Sequence, residues 1–114
     1  KKLLEDRNTF LRKIYDIKSE GISIIAVGAA AKGNTFLNYY NLDKTVLDYV
    51  TDISEHKQGK YTPLTRIPIV SDEVFSQYDK VYALILSWNI SDIIKTSLSK
   101  INNNIEFISL PELK

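Results

Sequence analysis

Ile24-Ile25-Ala26-Val27-Gly28-Ala29-Ala30-Ala31-Lys32-Gly33-Asn34-Thr35-Phe36-Leu37 is the stretch that decides the fold. It opens on four apolar residues, three of them β-branched, the composition of a strand covered on both faces. A small-residue turn follows, and the turn opens a helix. Gly28 suits a tight turn, and Gly33 lets the helix approach the strand closely. The first N–H groups of such a helix lack partners within it, and the helix dipole is positive there, so they favour an anion. Lys32 adds a full positive charge. The spacing is G-x-A-x-x-G, a dinucleotide fingerprint with Ala30 at the middle glycine. A methyl group at that place pushes the backbone away from a pyrophosphate, which weakens an ordinary NAD reading. A P-loop is excluded, because no G-x-x-x-x-G-K-[ST] occurs. The alternative is a plain βα turn that holds no ligand.

Composition narrows the classes around this turn. At 114 residues the chain is sized for one domain with its own core. Hydrophobic residues at 44% and charged residues at 25% are those of a globular protein. A net charge of +1 argues against a nucleic-acid binder, which would be strongly basic. No apolar run approaches the roughly 20 residues of a membrane span. The first residues, Lys1-Lys2-Leu3-Leu4-Glu5-Asp6, turn acidic where a signal peptide needs an apolar core, so a cytoplasmic location is expected. There are no cysteines and one histidine, which leaves no disulfide, no thiolate chemistry and no ordinary zinc site within the chain. The lack of an initial Met suggests a fragment of a longer protein.

Outward from the turn, helices and strands alternate. Residues Lys2 to Ser19 read as an amphipathic helix with Leu3, Phe10, Ile14 and Ile17 on one face and Gly21 as a stop signal. Ser23–Val27 is the first strand, and a helix is expected from about Lys32 to Tyr40, ended by Asn41. Thr45–Thr51 reads as the second strand on β propensity. Asp52 stands at its end, 24 positions after Gly28, where dinucleotide folds carry an acid that binds a ribose. An acid that caps local N–H groups is the alternative. A polar loop follows to about Ile69, longer than most such connections, with the sole His56, Lys57, Lys60, Tyr61 and Arg66. Lys, Arg and His can hold phosphates and Tyr can stack on a base, although a charge-rich loop can equally be a solvated surface.

Pro68-Ile69-Val70 enters a short strand, and Ser71-Asp72-Glu73 starts a short helix to about Gln77. Lys80–Ser87 is the strongest strand and ends at Trp88-Asn89. A helix from Ser91-Asp92 to about Lys100, a turn at Asn102-Asn103-Asn104 and a last strand at Ile105–Ser109 complete the order. The expectation is a Rossmann-like α/β three-layer sandwich, a mostly parallel sheet of about five strands with helices on both faces. Such sheets bind ligands beyond the carboxyl ends of their strands. The Gly28 turn, Asp52 with its loop, and Trp88-Asn89 all fall at that edge.

Gly28-Ala29-Ala30-Ala31-Lys32-Gly33-Asn34-Thr35 with Leu37-Asn38-Tyr39 resembles the G-A-x-A-K-G-N-T-x-L-N-Y signature of the C-terminal domain of sugar C-methyltransferases. Asp52 with His56-Lys57-Gln58-Gly59-Lys60-Tyr61-Thr62-Pro63 and Thr65-Arg66-Ile67-Pro68-Ile69 resembles the family's second block, and Leu86-Ser87-Trp88-Asn89 its third. Leu64 departs from the pattern, standing where the family usually has Gly. His56 falls at a variable place.

The resemblance implies a C-terminal domain of an enzyme that methylates a carbon of a keto-deoxysugar carried on a nucleoside diphosphate, usually dTDP. Family members also have a zinc-binding N-terminal domain and a central S-adenosylmethionine-binding domain. Zinc and S-adenosylmethionine are therefore expected in those parts and no cofactor in this one. The helix Lys2–Ser19 would join this domain to the methyltransferase domain before it. Carried over as the diphosphate turn are Gly28, Ala31, Lys32, Gly33, Asn34 and Thr35, with Lys57 and Tyr61 as further substrate contacts. Asp52, Trp88 and Asn89 are candidates at the same rim. No catalytic residue is expected here, so the chain alone would not methylate. The competing readings are a stand-alone NAD- or CoA-binding regulatory module and a purely structural domain.

Overall fold

The computed structural model describes residues 2–28, 35, 37–86 and 91–109. Strands β1 (Ser23–Val27), β2 (Tyr49–Thr51), β3 (Ile69–Val70), β4 (Val81–Ile85) and β5 (Ile105–Ser109) form one five-stranded sheet in the order β3-β2-β1-β4-β5. Every pairing is parallel. The central pair sets Ser23–Val27 beside Val81–Ile85, residue against residue. The expected α/β sandwich is thus present.

Period-two alternation divides the core. Ile24 and Ala26 of β1 join Val50 and Leu84 on one face, under Phe10, Ile14 and Ile17 of helix α1 (Lys2–Ser19) and under Leu37, Tyr40 and Leu42. Ile25 and Val27 join Val81 and Ala83 on the other, under Val74 and Phe75 of a 3-10 helix (Asp72–Gln77) and Leu98 of helix α2 (Ser91–Ile101). Both faces are therefore covered, which is why these strands are apolar on successive residues. The Phe10 and Tyr40 rings pack 4.9 Å apart. The Cα radius of gyration is 13.3 Å, against about 13 Å expected of a compact 100-residue domain.

Helix ends follow the residues that read as stops. Gly21 (φ 79°) ends α1, with the Ile22 N–H returning to Ile17 O at 3.4 Å. Asn41 (φ 56°) ends the helical residues 37–39, with the Leu42 N–H returning to Leu37 O at 2.9 Å. Ser71 caps the 3-10 helix by accepting the Glu73 N–H.

Strand β2 is shorter than the sequence suggests. It starts at Tyr49, not Thr45. Asp43 is the cause: its carboxylate takes the Thr45 N–H at 2.9 Å, and its carbonyl takes the Val46 and Leu47 N–H groups. That folds 44–46 into a turn, a local alternative to strand that outweighs β propensity. The fourth strand is likewise trimmed to Val81–Ile85.

Candidate functional site

The carboxyl edge of the sheet is tied beyond the strands. The Gly28 N–H (φ 102°) donates to Thr51 O at 2.8 Å, the Asp52 N–H to Val70 O at 3.1 Å, and the Leu86 N–H to Val27 O at 2.9 Å. The Gly28 N–H is thus consumed in the β1–β2 ladder, so anion donors of this turn must come from residues after it. Ala31, Lys32, Gly33 and Asn34, and likewise Trp88 and Asn89, lie outside the described residues. Thr35 is helical and exposed.

A cleft of about 270 Å³ opens above these strand ends, on the α2 face. Its lining includes Val27 and Gly28 from β1 and its end, Thr51, Asp52 and Ile53 from β2 and its end, and Asp72 beyond β3. Helix α2 supplies Ile93, Ile94 and Ser97. Ile53 and Ile93 remain 87% and 67% exposed, unusual for large aliphatic side chains. Thr51 is fully buried, and its hydroxyl has no hydrogen-bond partner among the described residues. One carboxylate oxygen of Asp72 is buried in the same condition. Most buried polar atoms are paired, so two orphans lining one cleft call for an explanation.

Asp52 belongs to the cleft and also organises the loop after it. Its Oδ1 accepts the Ser54 N–H at 2.8 Å, its Oδ2 lies 3.8 Å from the Lys57 ammonium, and its carbonyl accepts from the Gln58 side chain at 2.9 Å. Lys57 is therefore held at the rim, where it can offer charge to a ligand bound beside Asp52. The rest of the loop folds back on itself. The Gly59 N–H donates to Ile69 O, and the Ile69 N–H to Lys60 O, both at 2.8 Å, and Tyr61 bridges Pro68 in antiparallel fashion. Buried Thr62 closes the tip, accepting the Ile67 N–H on its hydroxyl at 2.9 Å. Tyr61 is exposed and does not line the cleft, nor does Lys57. His56 is exposed on the same loop.

Of the expected site residues, then, Gly28 and Asp52 share a cleft and Lys57 adjoins it through Asp52. Thr51, Asp72 and the two exposed isoleucines were not singled out by the sequence. Asp72 could have been, since it stands two positions after β3, close to the place that Asp52 takes directly after β2. Its position beside Ser71 reads first as the acidic start of a helix. Thr51 carries no such signal, being one more β-branched residue in a strand. No group of three or more His, Cys, Asp or Glu able to hold a metal occurs among the described residues, and no helix among them is long and apolar enough to cross a membrane.

Residues 1–111 match the family model described as the C-methyltransferase C-terminal domain. The chain belongs to this family. It is 32% identical over 101 residues to the C-methyltransferase NovU of Streptomyces niveus, an alignment covering 87% of this chain and 24% of NovU. The chain thus spans about a quarter of the length of the curated relative it matches. The family assignment covers the same blocks that converge on the carboxyl edge: the Gly28 turn and the loop opened by Asp52.

Proposed function

We propose that this chain is the substrate-holding domain of an S-adenosylmethionine-dependent C-methyltransferase acting on a keto-deoxysugar linked to a nucleoside diphosphate. Family membership supplies the reaction class. The observation that carries the ligand reading is the gathering of Gly28, Asp52 and Lys57, from two separate sequence blocks, at one edge of an all-parallel sheet beside a cleft. In this reading the turn from Gly28 to Thr35, with Lys32, takes the diphosphate, and Lys57 adds a second cation. Trp88 and Asn89, which follow the fourth strand in sequence, contribute further contacts, as does Tyr61 from the loop.

Methylation at carbon needs a proton removed beside a keto group, giving an enolate that attacks the methyl sulfonium. The base that removes it, the methyl donor and the zinc belong to the domains that precede this one in the family, with α1 as the connection. What this chain adds is orientation. Holding the nucleotide fixes the sugar against the donor, and such positioning can supply up to about 7–11 kcal/mol of a barrier. The need for an activated sugar and a cellular methyl donor makes the cytoplasm the expected compartment.

Calorimetric titration of the chain with dTDP, and separately with S-adenosylmethionine, tests the reading. Binding of dTDP alone is expected. Lys32→Ala should weaken it by about tenfold or more, the worth of a charge-assisted hydrogen bond. Unchanged affinity in that variant would remove the phosphate role of the turn.

A further inference from the structure

Three properties of the cleft above β1, β2 and β3 are hard to reconcile with a phosphate inside it. Its only charged lining residues among those described are Asp52 and Asp72, both acidic. A diphosphate placed between them would meet like charge. Apart from the hydroxyls of Thr51 and Ser97, its other side chains are apolar: Val27, Ile53, Ile93 and Ile94. Its volume of about 270 Å³ lies just under the roughly 300–1,000 Å³ of pockets that enclose whole small molecules. It therefore admits part of a nucleotide sugar, not all of it.

The two orphan atoms say which part. Alternation along β2 puts Thr51 on the same face as Tyr49, which packs on the cluster beneath α2, so the Thr51 hydroxyl faces the α2 side on which the cleft lies. That hydroxyl can donate or accept; the Asp72 carboxylate, when ionised, can only accept. The group they await must therefore carry no negative charge, must present an N–H or O–H donor, and must have apolar surface for Ile53 and Ile93 to cover. A nucleoside meets all three conditions, with its sugar hydroxyls, its base N–H groups and its flat base.

We infer that the cleft holds the nucleoside half of the ligand through Thr51 and Asp72, while the diphosphate lies outside it toward the Gly28 turn and Lys57. The inference rests on the substrate-holding reading above and assigns a specificity role to two residues that reading does not use. It also explains why a buried hydroxyl stays without a partner: the position is kept for a ligand, at the expense of the empty fold.

The test uses Thr51→Val, which keeps the shape of the side chain and removes the hydroxyl, and Asp72→Asn. Calorimetry measures dTDP and inorganic pyrophosphate separately, and thermal unfolding is recorded without ligand. Thr51→Val should raise the unfolding temperature of the empty protein and weaken dTDP at least fivefold, a combination that a purely structural threonine would not give. Asp72→Asn should weaken dTDP by a similar factor, and neither change should alter pyrophosphate binding. A lowered unfolding temperature for Thr51→Val, equal losses for both ligands, or undiminished dTDP affinity in both variants would each overturn the inference. Undiminished affinity there together with a loss in Lys32→Ala leaves the substrate-holding reading standing. Failure of the unaltered chain to bind dTDP removes both.

Discussion

Leu64 shows how one side chain can be at odds with its backbone. It sits at φ 65° in a three-residue turn closed by the Thr65 N–H to Pro63 O at 2.7 Å, and its side chain is 86% exposed. The left-handed region costs a non-glycine residue about 1–2 kcal/mol, and Leu64 has little burial to offset this. The family motif carries Gly here, and the backbone keeps the conformation that Gly takes without strain. Leu64→Gly is therefore expected to stabilise the chain by about 0.5–1 kcal/mol, after allowing for the entropy glycine adds to the unfolded state. A higher urea midpoint at unchanged slope is the measurement. A second residue acts at the opposite edge of the sheet. Tyr78 donates to an Asp48 carboxylate oxygen at 3.1 Å, and burial first, then the Asp48 charge, pushes its phenol up to about 12. The folded state thus holds this proton more tightly than the unfolded state does. The contribution is complete below pH 10 and is lost as pH rises through about 12. Stability of the native chain relative to Tyr78→Phe should fall across that window, and denaturation at pH 9 and pH 11.5 would measure it.

Among the elements, Asn102 joins two that share no strand. It follows the last turn of α2, and its amide donates to Phe75 O at 2.9 Å and Tyr78 O at 2.8 Å, closing the end of the 3-10 helix. Its own oxygen accepts the Asn104 N–H at 2.8 Å. Asn102→Ala leaves two part-buried carbonyls without this donor, and a loss of about 2–3 kcal/mol is expected in chemical denaturation. In sequence the triple asparagine reads only as a turn, because the partners lie 24 and 27 positions away. The elements themselves were legible wherever a period or a stop residue carried them. The apolar spacing of α1 and the stops at Gly21 and Asn41 all appear where they are read. The start of β2 was not legible, because the Asp43 carboxylate and carbonyl capture the N–H groups that a strand from Thr45 would need. Propensity counts residues singly, and this turn is made by one side chain acting on its neighbours.

At the scale of the whole molecule, alternation of strands and helices was enough to imply the parallel sheet, and with it the edge at which sheets of this kind take ligands. It placed Gly28 and Asp52 together because both end strands that become neighbours. It did not reveal the cleft, because a cleft needs α2 to lie over the ends of β1 and β2, a packing that no single segment encodes. For the same reason Thr51, Asp72, Ile53 and Ile93 carry no common mark in the sequence. The central claim is that this edge holds a nucleoside diphosphate and does not hold the methyl donor. Amide chemical shifts of the labelled chain, followed during titration with dTDP and in parallel with S-adenosylmethionine and NAD, test it most directly. The account predicts saturable shifts for dTDP alone, clustered at residues 28–35 and around Lys57 to Tyr61. Saturable binding of NAD or S-adenosylmethionine there in place of dTDP would contradict it.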